Sequence, residues 1–414
     1  MPKLEIHNFG PVKTGSLDIS RVTVFIGNQG SGKSTVAKLV STFFWMEKAL
    51  VRGDYTEDDF TTEDFFAERM TYHRLSKEYY KNNPELVYEG DAYRFAYKNG
   101  SLHINKQNDA HYVLPQIMYV PAERSIIPSV GNAAKLKNIS GALNELIIEY
   151  GNAKEAMTDL IDLPINGTHA EYAKASDMIY IRGKDYRIEL SDAASGFHSL
   201  VPLYLVSRYL CNSVKSLKNG ESMSSDEKRR FEKQLEEIAV DTNLNDEQKR
   251  LARSSLGKKY NKAVFVNIVE EPELNLFPFA QRQFLYKLLE FNNTIRENET
   301  EPKNKVIITT HSPYLINFLS IAIYGAALSQ KIAAKDKDSP LMDKLYEIIP
   351  QGALTSADDI SIYQLDETSG NVSRLPMPNG IPSDKNLLNN LIQHGNDEFD
   401  KLLEIEEELN VKFF

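Results

Sequence analysis

Two adjacent glutamates, Glu270 and Glu271, end an apolar segment of the sequence VNIVEEPELNLFP, residues 266–278. Carboxylates at the end of a buried strand can hold a metal ion or polarise an attacking water. A chain of 414 residues, 42% of them hydrophobic, is long enough to bury such a strand in a large core. The pair therefore indicates chemistry, and its substrate depends on which other motifs accompany it.

A phosphate-binding loop is predicted by GNQGSGKST, which matches the pattern G-x-x-x-x-G-K-[ST] in full. The loop lies between the apolar segment RVTVFIG and the helical pattern VAKLVSTFFWMEKAL, as its mechanism requires. Glycines let backbone N–H groups turn toward phosphates, Lys33 reaches the β and γ phosphates, and the Ser34 hydroxyl ligates Mg²⁺. The residues predicted to bind ATP here are Gly27, Asn28, Gln29, Gly30, Ser31, Gly32, Lys33, Ser34 and Thr35.

The phosphate loop gives the two glutamates separate expected roles. Glu270 is assigned to Mg²⁺ through water, and Glu271 is assigned to polarising the attacking water. The alternative is a solvent-exposed pair, with Pro272 only ending the strand. A further strand, KVIITTHSP, ends at His311, whose neutral imidazole could contact the γ-phosphate or the attacking water, although a lone histidine is often structural.

A last candidate constellation is Ser195 and Gly196, just before an apolar helix in LSDAASGFHSLVPLYLVSRYL. Ser195 could cap the helix while the exposed N–H groups and the positive helix end bind an anion. Taken alone, the pair favours a plain helix cap.

These motifs need strands that end at one edge of a sheet, and the sequence contains such segments. LEIHNF and RVTVFIG are predicted as two strands separated by a turn in GPVKTG, and QIMYVPAERS as a buried strand ending at Pro121. We expect a single domain over residues 1–414. Its expected additions are helical insertions at about 43–84, 126–165 and 214–262 and a terminal strand pair and helix at about 358–412.

Composition excludes several classes of protein. The net charge of -10 argues against a sequence-independent nucleic-acid binder, although a local basic face stays possible. The single cysteine, Cys211, excludes an intrachain disulfide and favours a reducing cytosol. The N-terminus has no h-region, and the apolar run near residues 318–328 is short for a bilayer. We therefore expect a cytoplasmic protein without a membrane segment.

The order of the motifs resembles that of the ATP-binding cassette ATPases in their SMC-like branch. That order is the phosphate loop, YVPAERS, Ser-Gly before a helix, EEPELNLFP and TTHSP, and it extends over nearly the whole chain. EEPE and TTHSP are also similar to the OLD-type ATPases and to stand-alone ATPases of bacterial anti-phage systems, such as the AriA and PtuA subunits. The resemblance implies an α/β P-loop NTPase head with an antiparallel β subdomain and helical insertions.

The resemblance also implies that ATP and Mg²⁺ are held between two subunits in a head-to-tail homo-oligomer. In such a sandwich, Ser195 and Gly196 of SGFH bind the γ-phosphate held by a second subunit. The other implied positions are the D-loop at residues 273–275, the switch histidine at His311, and the Q-loop at either Glu123 or Arg124.

Three departures from the family pattern stand out. Glu270 stands where many members have aspartate, and Phe197 and His198 replace the second glycine and the glutamine of the signature. The insertion at 214–262 has room for two short helices but not for long coiled-coil arms. After His311 no nuclease site can be placed, so an effector, nuclease-like, is expected on a separate chain.

The leading interpretation is an ATP-hydrolysing switch or scaffold subunit, slow and dependent on assembly, that acts as the sensor of a bacterial defence system. One alternative is a DNA-repair or chromosome-associated ATPase that acts directly on nucleic acid. A transporter ATPase is a third, disfavoured by EEPE and by the incomplete signature.

Overall fold

The structure is a computed structural model in which a mixed α/β core carries two further sheets. Its described residues are 1–107, 112–130, 138–215, 225–241, 245, 248–250, 252–253, 256–257, 262–294, 303–336 and 339–412.

A six-stranded sheet forms the centre of the fold, in the order β15-β14-β3-β13-β12-β7. Five of its strands are parallel, and only β15 runs antiparallel, to β14. Because neighbouring parallel strands end at the same edge, the segments after β3, β12 and β13 come together there. The strands are β3 (Val22–Gly27), β7 (Pro115–Val120), β12 (Val264–Glu270), β13 (Lys305–Thr310), β14 (Ile360–Leu365) and β15 (Val372–Arg374).

Both faces of this sheet are covered, so its strands are near-continuous apolar runs. Along β3, Val24 and Ile26 pack into one core while Phe25 packs into the other. One face lies on helix α1 and the other mainly on α5, α7 and α8. The helices are α1 (Lys33–Arg52), α2 (Glu57–Thr61), α3 (Glu63–Tyr72), α4 (Gly141–Glu155), α5 (Ser195–Lys215), α6 (Ser225–Val240), α7 (Pro278–Asn292), α8 (Pro313–Lys335), α9 (Pro340–Ile348) and α10 (Leu387–Lys412).

An antiparallel sheet packs on the α1 side, in the order β2-β1-β4-β5-β6. The expectation of two strands before the phosphate loop is wrong, because most of the segment assigned to the turn belongs to β2. Phe9 pairs with Val12, so the turn is only Gly10 and Pro11. The strands are β1 (Lys3–Phe9), β2 (Val12–Asp18), β4 (Glu85–Glu89), β5 (Tyr93–Lys98) and β6 (Ser101–Lys106).

A buried carboxylate joins α1 to this antiparallel sheet. Glu47, 2% exposed, accepts hydrogen bonds from the N–H groups of Ala92 at 2.6 Å and Tyr93 at 3.1 Å, and from the Tyr88 hydroxyl at 3.1 Å. Burial raises the pKa of Glu47 to about 7 despite these three donors. The helix that begins at the phosphate loop is thus fixed to the sheet beside it.

A small four-stranded antiparallel sheet, β11-β10-β9-β8, lies before α5. Strands β10 and β11 form a hairpin around Gly183. Its strands are β8 (Ile161–Asp162), β9 (His169–Ala173), β10 (Met178–Arg182) and β11 (Arg187–Glu189). Of the insertion expected at 214–262, α6 is described, and much of the segment between α6 and β12 lies outside the described residues.

The expectation that the apolar run near residues 318–328 is too short for a bilayer is wrong, because that run lies within helix α8, which by length and composition alone could cross a membrane. Of its most apolar window, 44% is buried inside the protein. The core helix of a soluble protein can have the same length and composition.

Candidate functional site

The phosphate loop joins β3 to α1 through glycines that no other residue could replace without strain. Gly32 has φ 99° at the N-terminus of α1, and Gly27 has φ 153°. A Cβ on Gly27 would lie 2.4 Å from the Leu365 carbonyl oxygen. The sequence therefore builds a tight turn whose backbone is free to face a ligand.

Lys33 is buried, at 5% exposure, at the centre of this loop. Its ammonium donates to the carbonyl oxygens of Gly27 at 2.9 Å and Asn28 at 2.8 Å, and lies 3.3 Å from His311 Nδ1. Burial lowers the pKa of Lys33 to about 8, although four nearby glutamates act against that shift. The Lys33 side chain is therefore mostly protonated at neutral pH, but a small rise in pH above neutrality deprotonates much of it.

His311 connects Lys33 to Glu271. Its Nε2 lies 3.1 Å from Glu271 Oε1 while its Nδ1 faces the Lys33 ammonium. An ammonium can only donate, so Nδ1 must accept, and Nε2 then carries the proton that it donates to the carboxylate. The contacts thus select one tautomer for an uncharged imidazole at this position. Hydrogen bonding from His311 lowers the pKa of Glu271, which keeps that carboxylate ionised at neutral pH.

The backbone of Glu271 is strained. Its φ of 43° lies in the left-handed region, which is unfavourable for a residue with a side chain. Its N–H donates to the Thr309 carbonyl oxygen at 2.9 Å, and its own carbonyl oxygen accepts from Arg124 Nη2 at 2.6 Å. The two contacts hold the residue in a conformation that aims its side chain at His311.

Glu270 faces away from this line of contacts. At 5% exposure, its carboxylate accepts a hydrogen bond from the Tyr119 hydroxyl and another from the Ala122 N–H at 3.0 Å. Both donors lie at the end of β7, the strand next to β12. The two adjacent glutamates therefore occupy different environments, one buried against β7 and one half-buried beside His311.

Glu273 stabilises the segment that carries His311. Its Oε1 accepts from the Thr310 hydroxyl and from the His311 N–H, each at 2.7 Å. Burial raises the pKa of Glu273, opposed by those hydrogen bonds. The residue that the resemblance put in the D-loop thus supports the histidine within the same chain.

Ser195 is exposed and is the first residue of helix α5. A capping residue precedes the first helical position, so the expected capping role is not supported. A Cβ on Gly196 would lie 3.0 Å from the Asn275 carbonyl oxygen, and Asn275 Nδ2 donates to Ser199 Oγ at 3.0 Å. The first turn of α5 therefore packs against the EEPELN segment.

The loop fits a nucleotide phosphate group. The hydroxyl of Ser31 is buried and has no hydrogen-bond partner among the described residues, and a Cβ on Gly30 would meet open space. No cluster of three or more His, Cys, Asp or Glu residues that could hold a metal ion by itself occurs in the described part of the chain. A Mg²⁺ ion would therefore depend on nucleotide phosphate oxygens, with Ser34 and Glu270 as the protein groups that would supplement them. Bound there, it would neutralise phosphate charge.

A parallel sheet, a glycine-rich loop entering a helix, and polar residues at the adjacent strand ends define a P-loop NTPase. The family model described as the AAA ATPase domain matches residues 1–265 and 133–316. The chain belongs to that family, and the expected fold, an α/β ATPase head with an antiparallel subdomain and helical insertions, is confirmed. No curated protein sequence matches the chain significantly.

Solved structures show more distant likenesses. The SMC head domain from Thermotoga maritima has 14% identity and a TM-score of 0.33 over 76% of this chain and 90% of that one. The Smc head with an extended coiled coil, bound to the C-terminal domain of ScpA, from Pyrococcus furiosus, has 10% identity and a TM-score of 0.36 over 92% and 98%. A bacterial ABC transporter cassette solved as a dimer has 12% identity and a TM-score of 0.24 over 90% and 97%.

The structure brings together Lys33, Glu271 and His311, and it holds Glu270 on the far side of the same strand end. The sequence did not identify Tyr119, and it did not decide between Glu123 and Arg124 for the Q-loop position. Arg124 is buried whereas Glu123 is partly exposed, facing Arg74 at 3.9 Å. The available signal for Tyr119 was its own polar hydroxyl group within the apolar stretch before Pro121.

Proposed function

We propose that the chain binds and hydrolyses ATP as a switch or scaffold subunit and that its dimer cycle controls a separate effector. The observation that carries the proposal is the line of contacts from Lys33 through His311 to Glu271. This line joins a phosphate-binding ammonium to an ionised carboxylate through an imidazole, all at the carboxyl edge of one sheet. A γ-phosphate beside Lys33 would bring its attacking water near the other two groups.

Hydrolysis is proposed to depend on assembly. Ser195, at the start of α5, is exposed, which supports its use by a second subunit. A helix N-terminus with free N–H groups favours an anion such as the γ-phosphate of a neighbour's ATP. A head-to-tail homo-oligomer then completes two sites at once.

A separate effector is supported by the C-terminal helix. Four large apolar side chains on α10 are exposed by 44% to 63%, a stripe that an isolated soluble helix rarely carries. Carboxylates at Glu398, Asp400 and Glu404 flank them. These exposed apolar side chains are Phe399, Leu402, Leu403 and Ile405.

We place this switch in a bacterial anti-phage system, acting in the cytoplasm as its sensor. The support is the EEPE and TTHSP resemblance, the single buried cysteine Cys211, and a net charge that disfavours direct action on nucleic acid.

The test begins with Lys33→Ala. Replacing the ammonium with a methyl group should abolish ATP binding measured by calorimetry and abolish phosphate release, while the unfolding temperature changes little. An unchanged affinity for ATP would contradict the assignment of residues 27–35 as a phosphate-binding loop. Co-purification of the natively expressed operon then identifies the effector, and tight, salt-sensitive DNA binding without any associated chain would favour the nucleic-acid alternative.

A further inference from the structure

Arg124 is a fully buried arginine whose hydrogen-bond acceptors in the described structure are backbone carbonyl oxygens. Nη1 donates to Glu270 O at 2.6 Å and to Pro121 O at 3.2 Å, Nη2 donates to Glu271 O at 2.6 Å, and Nε donates to Ser199 O at 2.9 Å. Burying a guanidinium without a paired carboxylate is unfavourable, and burial lowers the pKa of Arg124 to about 10. The four hydrogen bonds to carbonyl oxygens must therefore offset the cost of burying this charge, and they connect separate segments of the chain.

The acceptors belong to parts of the chain with different expected tasks. Glu270 and Glu271 end the catalytic strand β12, whereas Ser199 lies one turn into α5, the helix that begins with Ser195. Ser199 Oγ in turn donates to Ser195 O at 3.3 Å and accepts from Asn275 Nδ2 at 3.0 Å. One planar group thus ties the carbonyl of the strained Glu271 to the helix turn offered to a second subunit.

We propose that Arg124 is a positioning residue that couples the N-terminal turn of α5 to the backbone of Glu271. When α5 shifts on contact with a neighbour's nucleotide, the position of the Ser199 carbonyl oxygen changes. The rigid guanidinium, which donates to both oxygens, then moves the Glu271 carbonyl oxygen as well. The orientation of the Glu271 carboxylate in one site then depends on whether the same chain is engaged in the other. This inference rests on the proposed function.

The test substitution is Arg124→Lys, which keeps the charge but lacks the fork that spans these carbonyls. We expect ATP affinity within about threefold of wild type, ATP-induced assembly retained, and kcat lowered about 10- to 100-fold, the effect of a misplaced catalytic group. Arg21→Lys is the matched control. That guanidinium also bridges separate segments, donating to Asp359 at 2.5 Å and Asn292 O at 3.2 Å, but it lies before β3 at the opposite edge of the sheet. It should leave kcat unchanged.

A second variant, Ser199→Ala, keeps the backbone acceptor but removes the hydroxyl that joins Asn275 to the α5 turn. We expect it to lower kcat with KM unchanged, and to add little to the effect of Arg124→Lys, because both act through one connection. Arg124→Lys hydrolysing ATP within about twofold of wild type would overturn the proposal. If Arg124→Lys does not fold, an unchanged kcat in Ser199→Ala overturns it instead. A wild-type protein that hydrolyses no ATP refutes the proposed function itself.

Discussion

Replacing Glu271 with glutamine isolates the group proposed to polarise the attacking water. The amide oxygen can still accept the proton that His311 Nε2 donates at 3.1 Å, so the tautomer of His311 and its contact with Lys33 should persist. ATP affinity should therefore change by no more than about threefold. The substitution removes only the negative charge, which the lowered pKa of Glu271 otherwise maintains throughout the neutral range.

The expected loss comes from that charge. A positioned base contributes about 10²- to 10⁴-fold to a rate. That factor corresponds to about 3 to 5 kcal/mol of activation free energy. Since the shift lowers this pKa below the ordinary value of 4.5, protonation of Glu271 should reduce the wild-type rate only in more acidic solution. Subunits that bind ATP but cannot hydrolyse it should accumulate as an ATP-bound assembly.

Glu270→Gln is the matched comparison. Its amide oxygen can accept from the Ala122 N–H while its NH₂ group donates to the Tyr119 oxygen, so the fold should tolerate it. Removing this charge should weaken the Mg²⁺ dependence of ATP binding. Single-turnover hydrolysis and light scattering with and without Mg-ATP separate the two variants. The division of roles is refuted if Glu271→Gln hydrolyses ATP at the wild-type rate, or if Glu270→Gln alone gives the trapped assembly.

Three further results are expected. Because the pKa of Lys33 is about 8 and bound phosphates favour the ammonium, ATP binding at pH 9 should be about tenfold weaker than at pH 7 and should be accompanied by proton uptake. Calorimetry in two buffers of different ionisation enthalpy measures both effects, and Lys33→Arg should show neither. Burial raises the pKa of Glu47 from 4.5 to about 7, so stability should fall by about 3 kcal/mol as pH rises through that window; urea unfolding of Glu47→Gln should show no such fall. Inactive Ser195→Arg chains mixed with inactive Lys33→Ala chains should recover part of the ATPase rate, and no recovery in proven mixed dimers would leave Ser195 without a role in trans.

The phosphate loop and the strand ends could be predicted because short motifs and parallel strands determine them locally. Lys33 is identified by its motif, and the meeting of Glu271 with His311 is expected once β12 and β13 are parallel neighbours. Strand β2 was missed because Gly10, Pro11 and Gly15 indicate a turn, whereas pairing with β1 and burial of Val12 and Leu17 stabilise the strand.

The role of Arg124 could not be deduced from sequence, since its hydrogen-bond acceptors are backbone oxygens. A carbonyl group is present at every position, so no residue type reveals which ones an arginine will meet. The strained φ of Glu271 is similarly invisible, because glutamate shows no preference for the left-handed region. Both depend on tertiary packing around the end of β12.

The position of β3 in the central sheet has a consequence for biosynthesis. Val22 pairs with Val306 on one side and with Ile360 on the other, so both neighbours of the strand that leads into the phosphate loop are translated late. The Leu365 carbonyl that packs against Gly27 also belongs to the later of these two neighbours. A nascent chain on the ribosome therefore exposes both edges of β3 until those strands emerge, and such long-range parallel pairing generally slows folding. Chains that end before β13 and β14 should lack a formed nucleotide site. Such incomplete chains should therefore not compete with the full-length protein for ATP.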